Sequence, residues 1–343
     1  MAVKIVKICS NCVLPNTFPG ISFDLSGRCN FCQEAPPVST VKERFLTLKN
    51  KMADAIESRK SFGGYDCIVA YSGGKDSTYT LKLLIETYGL KCLAVTIDNG
   101  FISEQAKKNC DVVTSVLGVD YFVFKPSTDF MNNMFVQSVR NTSAHTKAAI
   151  KRASSICNSC INLINIQMIR YAMQHDTPIV AGGYIGGQVP KDAAMMDIDL
   201  SVLNLSRQAM QSKYQAFFGE AAMKYIQLPA ELLERSRIKN ILIVNPMLTV
   251  DATEEEIIDE IKPLGWINTS DTGKNSSNCR LNDLGIAVHY HKYGFNPYVF
   301  EISEQVRNGL VDRETALDKV NCIPEFAEVS WQAERIGLKL DDI

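Results

Sequence analysis

No stretch of this 343-residue sequence approaches the roughly 20 consecutive apolar residues that a membrane-spanning helix needs. Met1 to Lys7 is too short and too charged to serve as a secretory leader, so a cytoplasmic protein without a membrane is expected. An excess of positive charge is missing as well. With 36 Lys and Arg against 38 Asp and Glu, and a pI near 6.1, the surface as a whole supplies no field to concentrate a polyanion. That balance counts against a nucleic-acid substrate. There is no internal repeat, no low-complexity segment, no glutaminase signature and no GxxxxGK spacing of a Walker loop.

What is present is apolar residue in quantity, 46% of the chain, enough for one main core with additions at both ends. Cysteine is also plentiful. Eleven cysteines in a chain of this size without a leader point to metal binding or catalysis, not to a disulfide framework.

Residues 1–36 are rich in Cys, Pro, Gly and Asn and have little periodicity, the composition of a small module held by something other than a core. Pro36 and Pro37 mark its boundary. Residues 37–64 form a linker with a helical stretch from Val41 to Lys60, where Phe45, Leu48, Met52 and Ile56 share a face. From residue 65 to 265, short apolar runs alternate with amphipathic stretches. The runs are Cys67–Tyr71, Cys92–Ile97, Tyr121–Phe124, Pro178–Gly182 and Ile241–Val244; the helices are Ser77–Tyr88, Ser103–Leu117 and Asp129–Val139, followed by a helical insertion. This rhythm predicts an α/β fold with a parallel sheet covered by helices on both faces. Residues 266–343 break the rhythm and form a C-terminal extension.

Between the first strand and its helix lies Ser72-Gly73-Gly74-Lys75-Asp76-Ser77. Two glycines permit a tight turn and close backbone approach, so that successive N–H groups and the helix N-terminus can face an anion. Ser72 and Ser77 add donors and Lys75 adds charge, which together describe a pyrophosphate cradle. Asp76 is the carboxylate available to Mg2+, or a helix cap. Asp98, at the end of the second strand, is a second polar candidate.

Cys9-x2-Cys12 and Cys29-x2-Cys32 have the spacing of a structural zinc site with all four positions filled by protein. A second set, Cys157-x2-Cys160 with the distant Cys279, has too few partners for such a site. One of these thiolates could carry a persulfide that another resolves. Cys67, Cys92, Cys110 and Cys322 read as core residues. Lys274 and Arg280, beside Cys279, could meet a phosphate or carboxylate, and a solvated loop is equally compatible with that stretch. His289 and His291, two apart, are read as a structural pair on one face of a strand.

The string SGGKDS after YDCIVAY resembles the signature of the PP-loop ATP-pyrophosphatases. The resemblance implies a HUP/Rossmann-like sheet of about five parallel strands, ATP over their carboxyl ends, cleavage between the α- and β-phosphates, and an adenosine-side role for Asp98. The opening CSNCVLPNTFPGISFDLSGRCNFC and the tail HYHKYGFNPYVFEISEQVRNGLVDRETAL are similar to N-acetyl sugar amidotransferases of lipopolysaccharide and pseudaminic acid biosynthesis, which draw ammonia from a separate glutaminase. The cysteine triad resembles that of tRNA-thiolation enzymes, where three thiolates hold a [4Fe-4S] cluster with one iron open; a comparable CxxC and late cysteine belong to the sugar amidotransferases too, so the triad does not by itself mean sulfur transfer. Where the sugar enzymes carry Gly-Glu-Asn, this sequence has Ala181-Gly182-Gly183-Tyr184-Ile185-Gly186-Gly187-Gln188, a stretch that could also be a flexible loop.

The expected chemistry is therefore adenylation of a substrate oxygen by ATP with Mg2+, then replacement by sulfur through Cys157, Cys160 and Cys279, or by ammonia. Lys75 and Asp76 act at the phosphates in either case. Expected partners are a small-molecule acceptor, a sulfur-donor protein or glutaminase subunit, and a second copy of the chain in a homodimer. A zinc-module RNA-binding protein on a nucleotide-fold scaffold is the reading from another class, which the acidic pI disfavours.

Overall fold

The structure, a computed structural model, describes residues 6–59, 61–141, 144–273 and 276–339. Lys60 and Lys274 lie outside them. The fold is α/β, built on a sheet of six strands: β1 (Cys67–Ala70), β2 (Cys92–Ile97), β3 (Asp120–Phe124), β4 (Ile179–Ala181), β5 (Met195–Asp199) and β6 (Asn240–Val244), in the order β3-β2-β1-β4-β6-β5. All neighbours are parallel except β5 and β6. The expected five strands are thus joined by a sixth, β5. Its sequence MMDID lies on the edge with two aspartates turned to solvent, so it lacks the continuous apolar run that identifies its neighbours.

Strand alternation divides the core. Ile68 points into a cluster with Leu93, Val95 and Val180, covered by the helices Thr128–Arg140 and Ser155–Gln174. Cys67, Val69 and Tyr71 point the other way, onto Leu81, Leu84, Cys110 and Val113 of the helices that follow β1 and β2. The first of these helices runs Lys75–Lys82 and continues as a π-helical turn, Leu83–Thr87. The second, Glu104–Leu117, begins at Ser103, whose hydroxyl accepts from Gln105 and Ala106 N–H, and stops at Gly118 with φ 64°.

The linker helix runs Val38–Glu57 and buries Val41, Phe45, Met52 and Ile56. The extension is helical: Asn282–Tyr293, Val299–Asn308, Arg313–Val320 and Phe326–Arg335. His289 and His291 therefore sit on a helix, not a strand, and face different ways. His289 is buried beside Tyr293 and Phe295, whereas His291 is exposed. Of the four cysteines read as core, Cys67, Cys92 and Cys110 are buried, but Cys322 is only half-buried in the turn after a helix.

The N-terminal cysteine segment and the extension, distant in sequence, share a third core. Phe18 lies 5.2 Å from the rings of both Phe295 and Phe300. Thr17 Oγ1 donates to Gly294 O at 2.7 Å, and Arg313 donates to the carbonyls of Cys9 (2.9 Å) and Cys12 (3.2 Å). Among the described residues no helix is long and apolar enough to cross a membrane.

Candidate active site

The phosphate loop leaves the carboxyl end of β1, where the chain order reverses from β2–β3 on one side to β4 on the other, the crevice position favoured for ligands in open α/β sheets. Its conformation requires glycine. Gly73 has φ 73°, and a Cβ there would lie 2.1 Å from Ala106 O. The Gly73 carbonyl is tied back by Trp266 Nε1 (2.9 Å) and Asn109 Nδ2 (3.2 Å), and the Gly74 carbonyl by Ser77 Oγ (3.0 Å). With the carbonyls committed and Lys75 N–H reaching Ser277 Oγ at 3.3 Å, the next N–H groups of the helix, which have no partners within it, are the polarity left for an anion. Ser72 and Ser77 hydroxyls meet at 3.0 Å beside them.

Lys75 Nζ pairs with Asp76 Oδ1 at 2.8 Å. Burial works to lower the Lys75 pKa, but Asp76, Glu254 and Glu301 outweigh it and hold the ammonium above its ordinary value. Lys75 is therefore a fixed cation.

Ser72, Gly74, Asp76 and Ser77 line a cavity of roughly 520 Å3 that also holds Cys157, Cys160 and Cys279. Cys157 and Cys160 stand three residues apart on one face of the helix Ser155–Gln174, whose N-cap Ser154 accepts from Cys157 N–H. Cys279 is brought in by an antiparallel bridge to Ile102, just beyond β2. Asn99 joins the two sources, its Nδ2 lying 3.7 Å from both Cys160 Sγ and Cys279 Sγ. Burial pushes Cys160 up to about 12 and Cys279 up to about 11, each raised further by neighbouring thiols of the set, and raises Cys157 too. As free thiols the three are protonated near neutrality.

Asp98 is not brought into this cavity. Its Oδ1 accepts from Gly100 N–H at 2.9 Å and its Oδ2 lies 3.6 Å from Lys125, beside a separate polar cleft that includes Arg280. Arg280 stacks on Trp331 at 4.2 Å. Asn99, one residue on, is the group from that strand end that reaches the sulfurs.

Gly182, Gly183 and Gly187 serve close approach. A Cβ on Gly183 would meet Ser77 N and Cα at 2.9 Å, and Gly187, at φ 91°, would meet Glu301 Cα at 2.3 Å. This stretch wedges between the phosphate loop and the helix Val299–Asn308. It is fixed by Arg152, which donates from Nη1 to Gly187 O (2.7 Å) and Val189 O (3.0 Å).

Gln188 belongs to the stretch singled out from sequence, whereas the lining residues Arg152, Tyr298 and Glu301 were not singled out. Tyr298 donates to Asn282 Oδ1 at 2.5 Å. Glu301 lies inside the tail segment that carries a resemblance, yet only the folded chain brings it near Asp76. Burial pushes its carboxyl up to about 7, with Asp76 adding to the rise and Gln188 and Lys75 opposing it.

Cys9, Cys12, Cys29 and Cys32 form the second centre, all four Sγ atoms lying within 4.8 Å of one another and all buried. Cys9–Cys32 and Cys12–Cys29 are separated by 3.9 and 3.7 Å, close to the about 3.8 Å between sulfurs around a tetrahedral ion with 2.3 Å bonds. Backbone N–H groups of Cys12 and Cys29 point at Cys9 Sγ. Hydrogen bonding from Cys12 holds Cys32 down at about 4, while burial pushes Cys29 up to about 12. The donor set fits a metal ion, with no position left for a substrate.

A largely parallel sheet whose first strand runs through SGGKDS into a helix at the reversal of strand order is an open α/β arrangement with its ligand crevice at the switch point. Residues 66–222 match the family model of the arginosuccinate synthase N-terminal HUP domain, of the PP-loop superfamily. Over 300 residues the chain is 27% identical to the uncharacterized protein MJ1599 of Methanocaldococcus jannaschii, covering 86% of this chain and 87% of that one. Among solved structures it is similar to NMN synthetase from Francisella tularensis, with TM-score 0.40, 15% identity and coverage of 88% of this chain and 97% of that one. It is also similar to the U34-tRNA thiolase NcsA from Methanococcus maripaludis with its [4Fe-4S] cluster, with TM-score 0.38, 14% identity and coverage of 98% and 91%. At these scores neither bears on the chemistry argued below.

Proposed function

We propose that the protein adenylates a carbonyl or amide oxygen of a small-molecule acceptor and replaces that oxygen with sulfur. The observation that carries this reading is the placement of Cys157, Cys160 and Cys279 in one cavity with the phosphate loop, with Asn99 reaching two of the sulfurs. The acceptor oxygen attacks the α-phosphorus of ATP, an O–P bond forms, and pyrophosphate leaves with the electron pair of the broken bond. Loop N–H groups, Ser72, Ser77 and Lys75 stabilise that leaving charge. Mg2+, when bound at Asp76, would neutralise it further.

Sulfur arrives as a persulfide on one of the three cysteines, loaded by a sulfur-donor protein. Its terminal sulfur bonds to the activated carbon and AMP departs with the C–O electron pair. A second cysteine then attacks the first, releasing the thiocarbonyl product and leaving a disulfide for an external thiol to reduce. The same three thiolates would alternatively hold three irons of a [4Fe-4S] cluster, which when bound would offer sulfide an open iron. The four N-terminal cysteines would hold zinc as a structural ion.

Amidotransfer is the second reading, supported by the half-buried state of Cys157, Cys160 and Cys279, which raises the three thiols above their ordinary value and keeps them neutral in the unloaded protein. Ammonia from a glutaminase would then displace AMP. Anaerobically reconstituted protein, given ATP, Mg2+, candidate acceptors and either sulfide or ammonium, decides by product mass. Sulfur replacing oxygen supports the proposal, and nitrogen replacing it overturns the sulfur step. Cys160→Ser is expected to reduce sulfur incorporation by a factor on the order of 100 or more while leaving ATP binding intact. Undiminished incorporation would remove the triad from the mechanism.

A further inference from the structure

The C-terminal extension inserts one carboxylate into the phosphate region. Glu301, in the first turn of the helix Val299–Asn308, lines the same cavity as Asp76, Ser72, Gly74 and Ser77. It is only 8% exposed, and its Oε2 has no hydrogen-bond partner. The approach is built in on both sides. Gly187 lacks the side chain that would collide with Glu301 Cα, and Gln188 lines the same cavity. Lys75, the cation nearest the loop, is already paired with Asp76 Oδ1.

A polyphosphate entering this cavity would meet two carboxylates, one engaged ammonium and Arg152, whose Nη1 is committed to the Gly187 and Val189 carbonyls. A divalent cation between the carboxylates and the phosphates would turn the repulsion there into attraction. Mg2+ is bound in such sites by one or two carboxylates together with phosphate oxygens and water, the donor set that Asp76, Glu301 and a nucleotide would present. An unpartnered, buried carboxylate oxygen is the part such an ion completes.

We propose that Glu301 is the second protein ligand, with Asp76, of the divalent cation that accompanies the nucleotide, so that the extension completes the phosphate site of the HUP domain. The assignment rests on the adenylation reading for the identity of the nucleotide, and not on whether sulfur or nitrogen follows. Glu301 is thereby a metal-binding residue.

The test uses the full chain, Mn2+ as probe and α,β-methylene-ATP, which occupies the site without turnover. Free Mn2+ is read by electron paramagnetic resonance. Glu301→Gln is expected to weaken nucleotide-dependent Mn2+ binding at least tenfold, as is Asp76→Asn, while metal-free nucleotide binding is unchanged or tighter because a negative charge is gone. Glu301→Asp, which keeps the charge, is expected to retain Mn2+ at reduced affinity and supplies the reading if the glutamine variant does not fold. Wild-type Mn2+ affinity in Glu301→Gln overturns the proposal, as does an equal loss of nucleotide binding with and without metal. Because no turnover is needed, absent pyrophosphate release in the wild type would sink the adenylation reading while leaving the ligand count to stand or fall on Mn2+ alone.

Discussion

His289 shows how a single side chain sets a condition on the whole fold. It is 2% exposed, neither ring nitrogen has a partner, and burial lowers its pKa to about 4. The unfolded chain has a histidine near 6.5. Below that value the unfolded state takes up a proton that the folded state refuses, so stability is full above pH 6.5 and falls as pH drops towards 4. The expected loss is on the order of 3 kcal/mol, measured as the drop in urea midpoint between pH 7 and pH 4.5. His289→Leu should flatten that part of the profile. Residues whose role is local were readable in advance: Gly73 and the paired N-terminal cysteines announce themselves by spacing. Asn99 and Glu301 were not, because an amide between two distant cysteines, or a carboxylate that meets Asp76 only from the far end of the sequence, leaves no periodic trace.

Among the elements, the strands buried on both faces were legible as continuous apolar runs, and β5 was not, since an edge strand carrying alternate aspartates looks like any polar loop. The cysteine knuckle was legible as a metal site but its purpose was not. In the structure it braces the helices Val299–Asn308 and Arg313–Val320 through Phe18 and through the carbonyls that Arg313 holds. Metal removal should therefore be felt in the active-site cavity. Chelation, or Cys12→Ser, is expected to lower the Tm by on the order of 10 °C and to reduce ATP-dependent pyrophosphate release in parallel. Paired measurements of metal content, unfolding and release check it; unchanged release by metal-free protein would show that the brace does not govern the site.

For the molecule as a whole, the nucleotide domain is incomplete without its extension. A chain stopped after Trp266 keeps all six strands and the contact that ties back Gly73, but lacks Cys279, Tyr298 and Glu301. Such a chain is expected to bind a hydrophobic dye such as ANS through the uncovered Phe18 surface and to release no pyrophosphate; wild-type release would show that the extension is dispensable. The Arg313 bonds span 301 and 304 positions, which also has a consequence in time. During synthesis the knuckle precedes the arginine that will clasp it by those same positions. At roughly 5–20 residues per second, its aromatic face waits for tens of seconds without that cover, open to off-pathway association.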